Sequence, residues 1–359
     1  MNCAAALKPN PLLPTPMKSL RAYALLVLGL GIFAAAPLRA DLNSDLAFSA
    51  FSNVDINAMA GGAVLQERGG LLNFPRGITS QSLYIIDATP GDVAGKLIQW
   101  NPASHSELKV WLHKSLPAQP TAADFSELGS LPGNSSVQFQ IDATAKLDPN
   151  NLSLQVSKEE AQLIAATAAQ ERDPKALFVK AWSQILAGRI TSFLGGHASS
   201  SVDVVSGGDI HPVNEIKSLL HSDIKVYGQY QRLLNQTPVR ALAGASAAKV
   251  APANIYYECF DVQGYAALGT GTIYQAVNGT SIQSADIEYY VNSGIFAEIE
   301  LEQLWPVTVN GKTETLVWRD DLVSAPNIAY LHGTERLASG MIMLQETKDG
   351  IEAFRSEFK

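Results

Sequence analysis

Ile295-Phe296-Ala297-Glu298-Ile299-Glu300-Leu301-Glu302 sets the architecture of this chain. Ile295, Ala297, Ile299 and Leu301 hold one parity, and Phe296 with three glutamates holds the other. Period two marks a half-buried strand, because successive side chains leave a pleated backbone on opposite faces. The expectation is an apolar face turned to the core and an acidic face turned mostly to water. Asn-Gly pairs punctuate the surroundings, in Val277-Asn278-Gly279-Thr280 and Val309-Asn310-Gly311-Lys312. Asn-Gly supplies the positive φ that two-residue hairpins demand, and Asn292-Ser293-Gly294 is a slightly longer connector. Strands are expected near 254–263, 270–277, 281–291, 295–304, 306–310 and 312–320, as an antiparallel meander with Pro306 at a strand start or edge.

Past Ser324-Ala325-Pro326, one long helix is expected. Leu337, Met341, Leu344, Ile351, Phe354 and Phe358 recur at helical spacing and define one apolar stripe, weakened locally by Gly333, Gly340 and Gly350. Upstream of the meander lies a helical block. Ser157 and Glu160 form a capping box, and Pro174 opens a helix carrying Phe178, Trp182, Ile185, Leu186 and Phe193. Pro212–Gln236 reads as a third helix, and the Ala-rich linker 241–251 closes the block. Pro117–Asn150 is rich in Pro, Gly and Ser, with one short helix at Ala122–Leu128. Earlier still, Ile78–Asp87 reads as a strand, and Thr89 caps a helix begun by Pro90 and stopped at Asn101-Pro102. Glu107–Leu116 is a second extended piece.

The start of the chain reads as an export signal, with a single retained membrane anchor as the alternative. Lys18 and Arg21 precede the apolar run Ala22–Ala36, and Leu38-Arg39-Ala40 leads into Asp41-Leu42-Asn43-Ser44. The residues before Met17 read as a leader or as translation from an early start. Cleavage predicts a periplasmic or secreted protein with no integral membrane span. The chain holds 26 basic and 34 acidic residues, and the first forty carry four of the basic ones and no acid. The mature part is thus net −12, which opposes phosphate backbones and argues against nucleic acid as partner. With cleavage Cys3 would leave with the signal, so no intramolecular disulfide is expected at Cys259.

SLYIIDATPGDVAGKLIQW (Ser82–Trp100), the meander and the terminal helix Thr334–Phe358 together resemble the helix-grip order of START-like and polyketide-cyclase-like proteins. The resemblance implies a long last helix packed across a curved sheet and enclosing an apolar cavity. The helical block and Asp41–Gly77 have no counterpart in that simple fold. The expected class is therefore α+β, an antiparallel meander packed by a long C-terminal helix, with an inserted helical subdomain. Its segments are 1–40 (signal), 41–116 (N-terminal part), 117–251 (helical insertion) and 252–359 (sheet and last helix).

Site candidates follow from that cavity. Tyr256, Tyr265, Tyr274, Tyr289, Tyr290 and Trp318 are aromatic liners from the meander; His332, Arg336 and Met341 belong to the last helix and its entry. Glu258 is the acid to watch: facing an apolar cavity it would have a raised pKa and act as acid or base, and otherwise it faces water. Arg319, Asp320 and Asp321 are ion pairs at the cavity mouth or ordinary solvated charges. The six histidines show neither HExxH nor HxH spacing, so no metal is expected. Gly195-Gly196-His197 lies after a helix and lacks a Lys, which makes it a connector rather than a phosphate cradle. No GxSxG motif occurs. The expected function is binding of a small hydrophobic or lipid-like ligand, without cofactor. The alternatives are an envelope enzyme, hydrolase or cyclase-like, using Glu258, His332 or Arg336, and a non-catalytic envelope interaction protein.

Overall fold

A computed structural model describes residues 42–359 apart from Leu71, Ala198, Val205 and 242–249. The predicted signal and most of the Ala-rich linker lie outside the described residues. Helices α1 (Leu42–Asp45) and α2 (Ile56–Ala60) precede strands β1 (Leu65–Arg68) and β2 (Gly77–Ile86), then α3 (Pro90–Ile98) and β3 (Val110–Ser115). The helical block comprises α4 (Ser135–Ala145), α5 (Lys158–Ala168), α6 (Pro174–Leu194), the short strands β4 (Ser201–Val202) and β5 (Asp209–Ile210), α7 (Pro212–Ser222), α8 (Ile224–Leu234) and α9 (Pro238–Ala241). The meander is β6 (Asn254–Val262), β7 (Tyr265–Asn278), β8 (Ser281–Val291), β9 (Ala297–Val309) and β10 (Lys312–Ser324), followed by α10 (Thr334–Ser356).

The fold is α+β and helix-grip-like in class. Its main sheet runs β1-β2-β10-β9-β8-β7-β6-β3, with every neighbouring pair antiparallel. Local chemistry accounts for the expected elements. The Thr89 side chain accepts from the Asp92 N–H with Pro90 in the first turn, and Ser157 and Glu160 close a reciprocal capping box. Asn310 (φ 49) and Gly311 (φ 80) turn β9 into β10, as a two-residue hairpin requires. Between β7 and β8 only Gly279 is left-handed (φ 64), and Asn278 pairs with Ser281, so that loop is Gly279-Thr280.

Four further expectations are corrected along the chain, and a fifth concerns the acidic face of β9. Pro306 lies inside one long β9 rather than between two strands; it pairs with Thr315 but sits beyond Leu304, the last β9 residue paired to β8, so its missing N–H breaks no ladder on that side. Pro212–Gln236 is two helices, because Asp223 is extended and its side chain caps α8 at Lys225 and Val226. The Ser-rich passage hides α4, capped by Asn134 and buried through Val137 and Ile141. The stripe on α10 is buried only toward its end, at Ile351 and Phe354; Leu337 is 40% and Met341 62% exposed. The first half of α10 is held by polar clips instead: Arg336 donates to the carbonyls of Pro75, Gly77 and Ile328, and the Gln66 amide donates to Leu344 O at 2.7 Å.

The sheet is covered on both faces, and side-chain parity decides what each cover meets. Ala285, Ile287, Ile299, Leu301, Leu316 and Trp318 join Phe178, Trp182 and Ile216 of the helical block in one continuous core. The opposite parity meets α3 and α10 through a smaller cluster that includes Tyr84, Val93, Leu304, Val317, Ile351 and Phe354. Glu298, Glu300 and Glu302 belong to this second parity. They therefore line the hollow on the α3 and α10 side and do not turn mostly to water, as the strand pattern alone predicts. The described residues form one compact unit. Among the described residues no helix is long and apolar enough to cross a membrane.

Candidate functional site

Beneath α10 the sheet and its cover do not close. An inner hollow of about 250 Å³ is bounded by β8 and β9 below and by Leu97, Trp100, Gly350 and Phe354 above. It adjoins an outer hollow of about 560 Å³ whose wall includes Ile78, Val323, Ile328, Ile342 and Met343. Leu108, Glu298 and Arg319 belong to both walls. At Gly350 a Cβ would meet nothing within 4 Å, so the helix itself leaves this space open.

The inner floor is acidic by strand register. Glu288 stands opposite Glu298, Asp286 opposite Glu300 and Ser284 opposite Glu302. Like charges directly opposite across an antiparallel pair are destabilising, so this arrangement needs an answer. Part of it is Arg319 on β10, which contacts Glu300 and Asp321 at 2.6 Å each. Burial alone would lower the Arg319 pKa, but Asp321 and Glu300 more than reverse it and hold the guanidinium charged. Thr347 of α10 donates to Asp321 at 3.2 Å, which ties the lid to this pair.

The rest of the answer is protonation. Burial first, then Asp321 and Glu300, push the Glu298 carboxyl up to about 8. Burial with the neighbouring carboxylates raises Asp286, Glu288 and Glu302 well above the usual range in the same way. Asp286 also accepts from the Tyr256 hydroxyl at 2.9 Å. The Glu288 carboxyl meets that of Glu258 and the Glu302 carboxyl that of Glu300, and one oxygen of each is reached by no N–H or hydroxyl although the residues are only 5% and 2% exposed.

On β6 and β3 the wall is an aromatic–carboxylate pair. The His113 ring lies 4.8 Å from that of Tyr256, stacked, and its Nδ1 is 3.0 Å from Glu258. Two glycines of β7 make room for this wall. A Cβ at Gly269 would collide with Glu288, and one at Gly271 with the Tyr256 ring. The bulge at Thr270/Gly271 falls at the same place.

Of the predicted site residues, Tyr256, Glu258 and Arg319 line this hollow, Asp321 lines the outer one, and Asp320 is buried against Thr79 on the opposite face. Tyr274, Tyr289 and Trp318 have the other parity and are packed under the helical block; Tyr289 stacks on Phe193 at 3.7 Å, and Trp318 meets Phe48 edge-on. Tyr290 donates to Gln155 O on that side, and Tyr265 is exposed against Phe139. His332 is exposed, Arg336 clamps backbone carbonyls and Met341 faces out. The enzymatic trio of Glu258, His332 and Arg336 is thus not assembled. Reading the sequence missed His113, Asp286, Glu288 and the glutamates of β9 as site residues, and left Arg319 open between an ion pair at the cavity mouth and a solvated charge. Their signal was present as acids at alternate positions on successive strands, in SADIEYY and FAEIELE.

Compared with known proteins, the chain matches no family model, no curated protein and no solved structure.

Proposed function

We propose that this is an exported protein, periplasmic or secreted, that encloses a small amphiphilic ligand between its sheet and its last helix. The observation that carries the reading is the double hollow under α10, with open space at Gly350 and unpaired oxygens below it. The likeness in element order to START-like and polyketide-cyclase-like proteins supports the same place for a ligand, by analogy of fold. The outer hollow offers apolar side chains to a hydrophobic or lipid-like body, and the inner floor offers carboxyls to its polar head. Binding is driven by apolar area leaving water, on the order of 25 cal/mol per Å².

The test is a thermal-shift screen of the mature protein against fatty acids, sterols, quinones and aliphatic amines, run beside Gly350→Leu. At least one class is expected to stabilise the native chain, and the leucine is expected to remove that shift by filling the hollow. No stabilisation by any class overturns the reading. A catalytic second reading rests on His113, a ring oriented by Glu258 inside the hollow. It predicts chemical change of the bound ligand that His113→Gln stops while binding persists.

A further inference from the structure

The inner hollow carries more acid than its own cations can answer. From β6, β8 and β9 come Glu258, Asp286, Glu288, Glu298, Glu300 and Glu302, and Asp321 of β10, on the outer wall, shares Arg319 with them. Against them stand Arg319 and the ring of His113. No charged side chain of α3 or α10 lines this inner wall. Arg355 of α10 is committed to the carbonyls of Ile85 and Gly62. Lys109, Glu107, Asp261, Glu346 and Asp349 belong to the outer hollow, and the Tyr84 and Tyr256 phenols are held protonated by burial.

The distribution of unmet acceptors is more specific than the excess. Arg319 answers Glu300 and Asp321, and Tyr256 answers Asp286. That leaves Glu288 at one end of the floor and Glu302 at the other, which meet only the carboxyls of Glu258 and Glu300 and each keep an oxygen that no N–H or hydroxyl reaches. Glu288 is level with Glu298, four residues from Glu302 along β9, so the two ends lie roughly 13 Å apart at about 3.3 Å per residue. Among the described residues no group of three or more His, Cys, Asp or Glu is placed to hold a metal ion. A single point charge cannot meet both ends, whereas a flexible chain with an ammonium group at each end can. Trp100 and Tyr256 add aromatic surface in the same wall, which suits ammonium and methylene groups alike.

We infer that the inner hollow takes a linear aliphatic oligoamine, a di- or triamine, with its terminal ammonium groups at Glu288 and Glu302. This rests on the ligand-binding reading above and names the chemistry of the head that the floor accepts. Ammonium groups arriving there favour the ionised carboxylates, so binding expels protons that the empty floor retains.

The experiment is calorimetric titration of the native protein with spermidine in buffers of differing ionisation enthalpy, beside palmitate and an uncharged alkanediol of similar length. Spermidine is expected to bind with net proton release and to tighten at least tenfold from about pH 6, where Glu298 is protonated, to about pH 8, where its titration is centred. Glu288→Gln with Glu302→Gln is expected to weaken spermidine at least tenfold while raising the melting temperature at alkaline pH, which separates loss of the site from loss of the fold. Palmitate or the diol binding in place of spermidine, with Gly350→Leu abolishing it, overturns the oligoamine and leaves the binding reading standing. Spermidine binding without proton release, or unaffected by the double variant, places it outside this floor and overturns the inference. If none of the three probes binds and the wider screen is also silent, both readings fall.

Discussion

The two faces of the main sheet are covered in opposite ways. Under α4 to α8 the sheet presents apolar side chains that share one buried cluster with Phe178, Trp182 and Ile190. Under α3 and α10 it presents carboxyls, and the cover touches down on a short apolar cluster at one end and polar clips at the other. One face supplies stability by excluding water. The other gives some of that stability up, holding ionisable groups in a hollow where burial penalises their charge.

The largest effect that separates the faces is a cavity in the dry one. Trp182 is fully buried in the helical block, and its indole N–H donates to Thr144 Oγ1 at 2.9 Å. Trp182→Ala is expected to cost about 3–5 kcal/mol, read from urea unfolding. Phe354→Ala removes a ring that borders space already open, and is expected to cost less. Equal losses would erase the contrast.

Next is the pH profile. Asp286, Glu288, Glu298 and Glu302 all have folded pKa values raised above the usual carboxylate range. Such groups stabilise the fold while protonated, and that contribution fades as pH climbs from the unfolded value through the folded one. For Glu298 the window closes near 8, so the melting temperature is expected to fall between about pH 5 and about pH 8. Asp320, buried on the dry face beside Thr79, acts in the same direction. Glu288→Gln with Glu302→Gln should therefore flatten the profile without abolishing it. An unchanged slope would place the titration elsewhere.

These contrasts explain what was legible beforehand. The period-two runs fixed the strands, because alternation is a local consequence of the pleat. Thr89-Pro90, the Ser157–Glu160 box and Asn310-Gly311 fixed their own junctions, because caps and tight turns are satisfied within a few residues. Which cover takes which face is not local. The two parities of β9 make equally good strand faces, with Ile299 and Leu301 on one and Glu300 and Glu302 on the other. The apolar parity was claimed by a helical block far upstream, which left the terminal helix to the acids. Tyr274, Tyr289 and Trp318 were misplaced for the same reason: they share the parity that the block covers.

A smaller effect sharpens the comparison at β7. Gly271→Ala drives a methyl into the rigid Tyr256 ring and is expected to cost about 1–3 kcal/mol. Gly269→Ala meets mainly the end of the Glu288 side chain, which can swing, so its cost should be lower. The reverse order would mean that Glu288 is the more firmly held of the two.

The smallest expected effect is also the most direct probe of the hollow. Gly350 is in the body of α10, lines the inner wall, and has nothing within 4 Å of where a Cβ would stand. In a packed helix face a leucine there would force its neighbours apart. In open space it meets no obstacle and replaces the poorest helix former but proline with one of the best, a gain of about 1 kcal/mol. Gly350→Leu is thus expected to leave unfolding in urea unchanged or to shift it slightly toward stability. A loss of comparable size would show that side chains already fill the space, and the hollow face would then differ from the dry one in polarity alone.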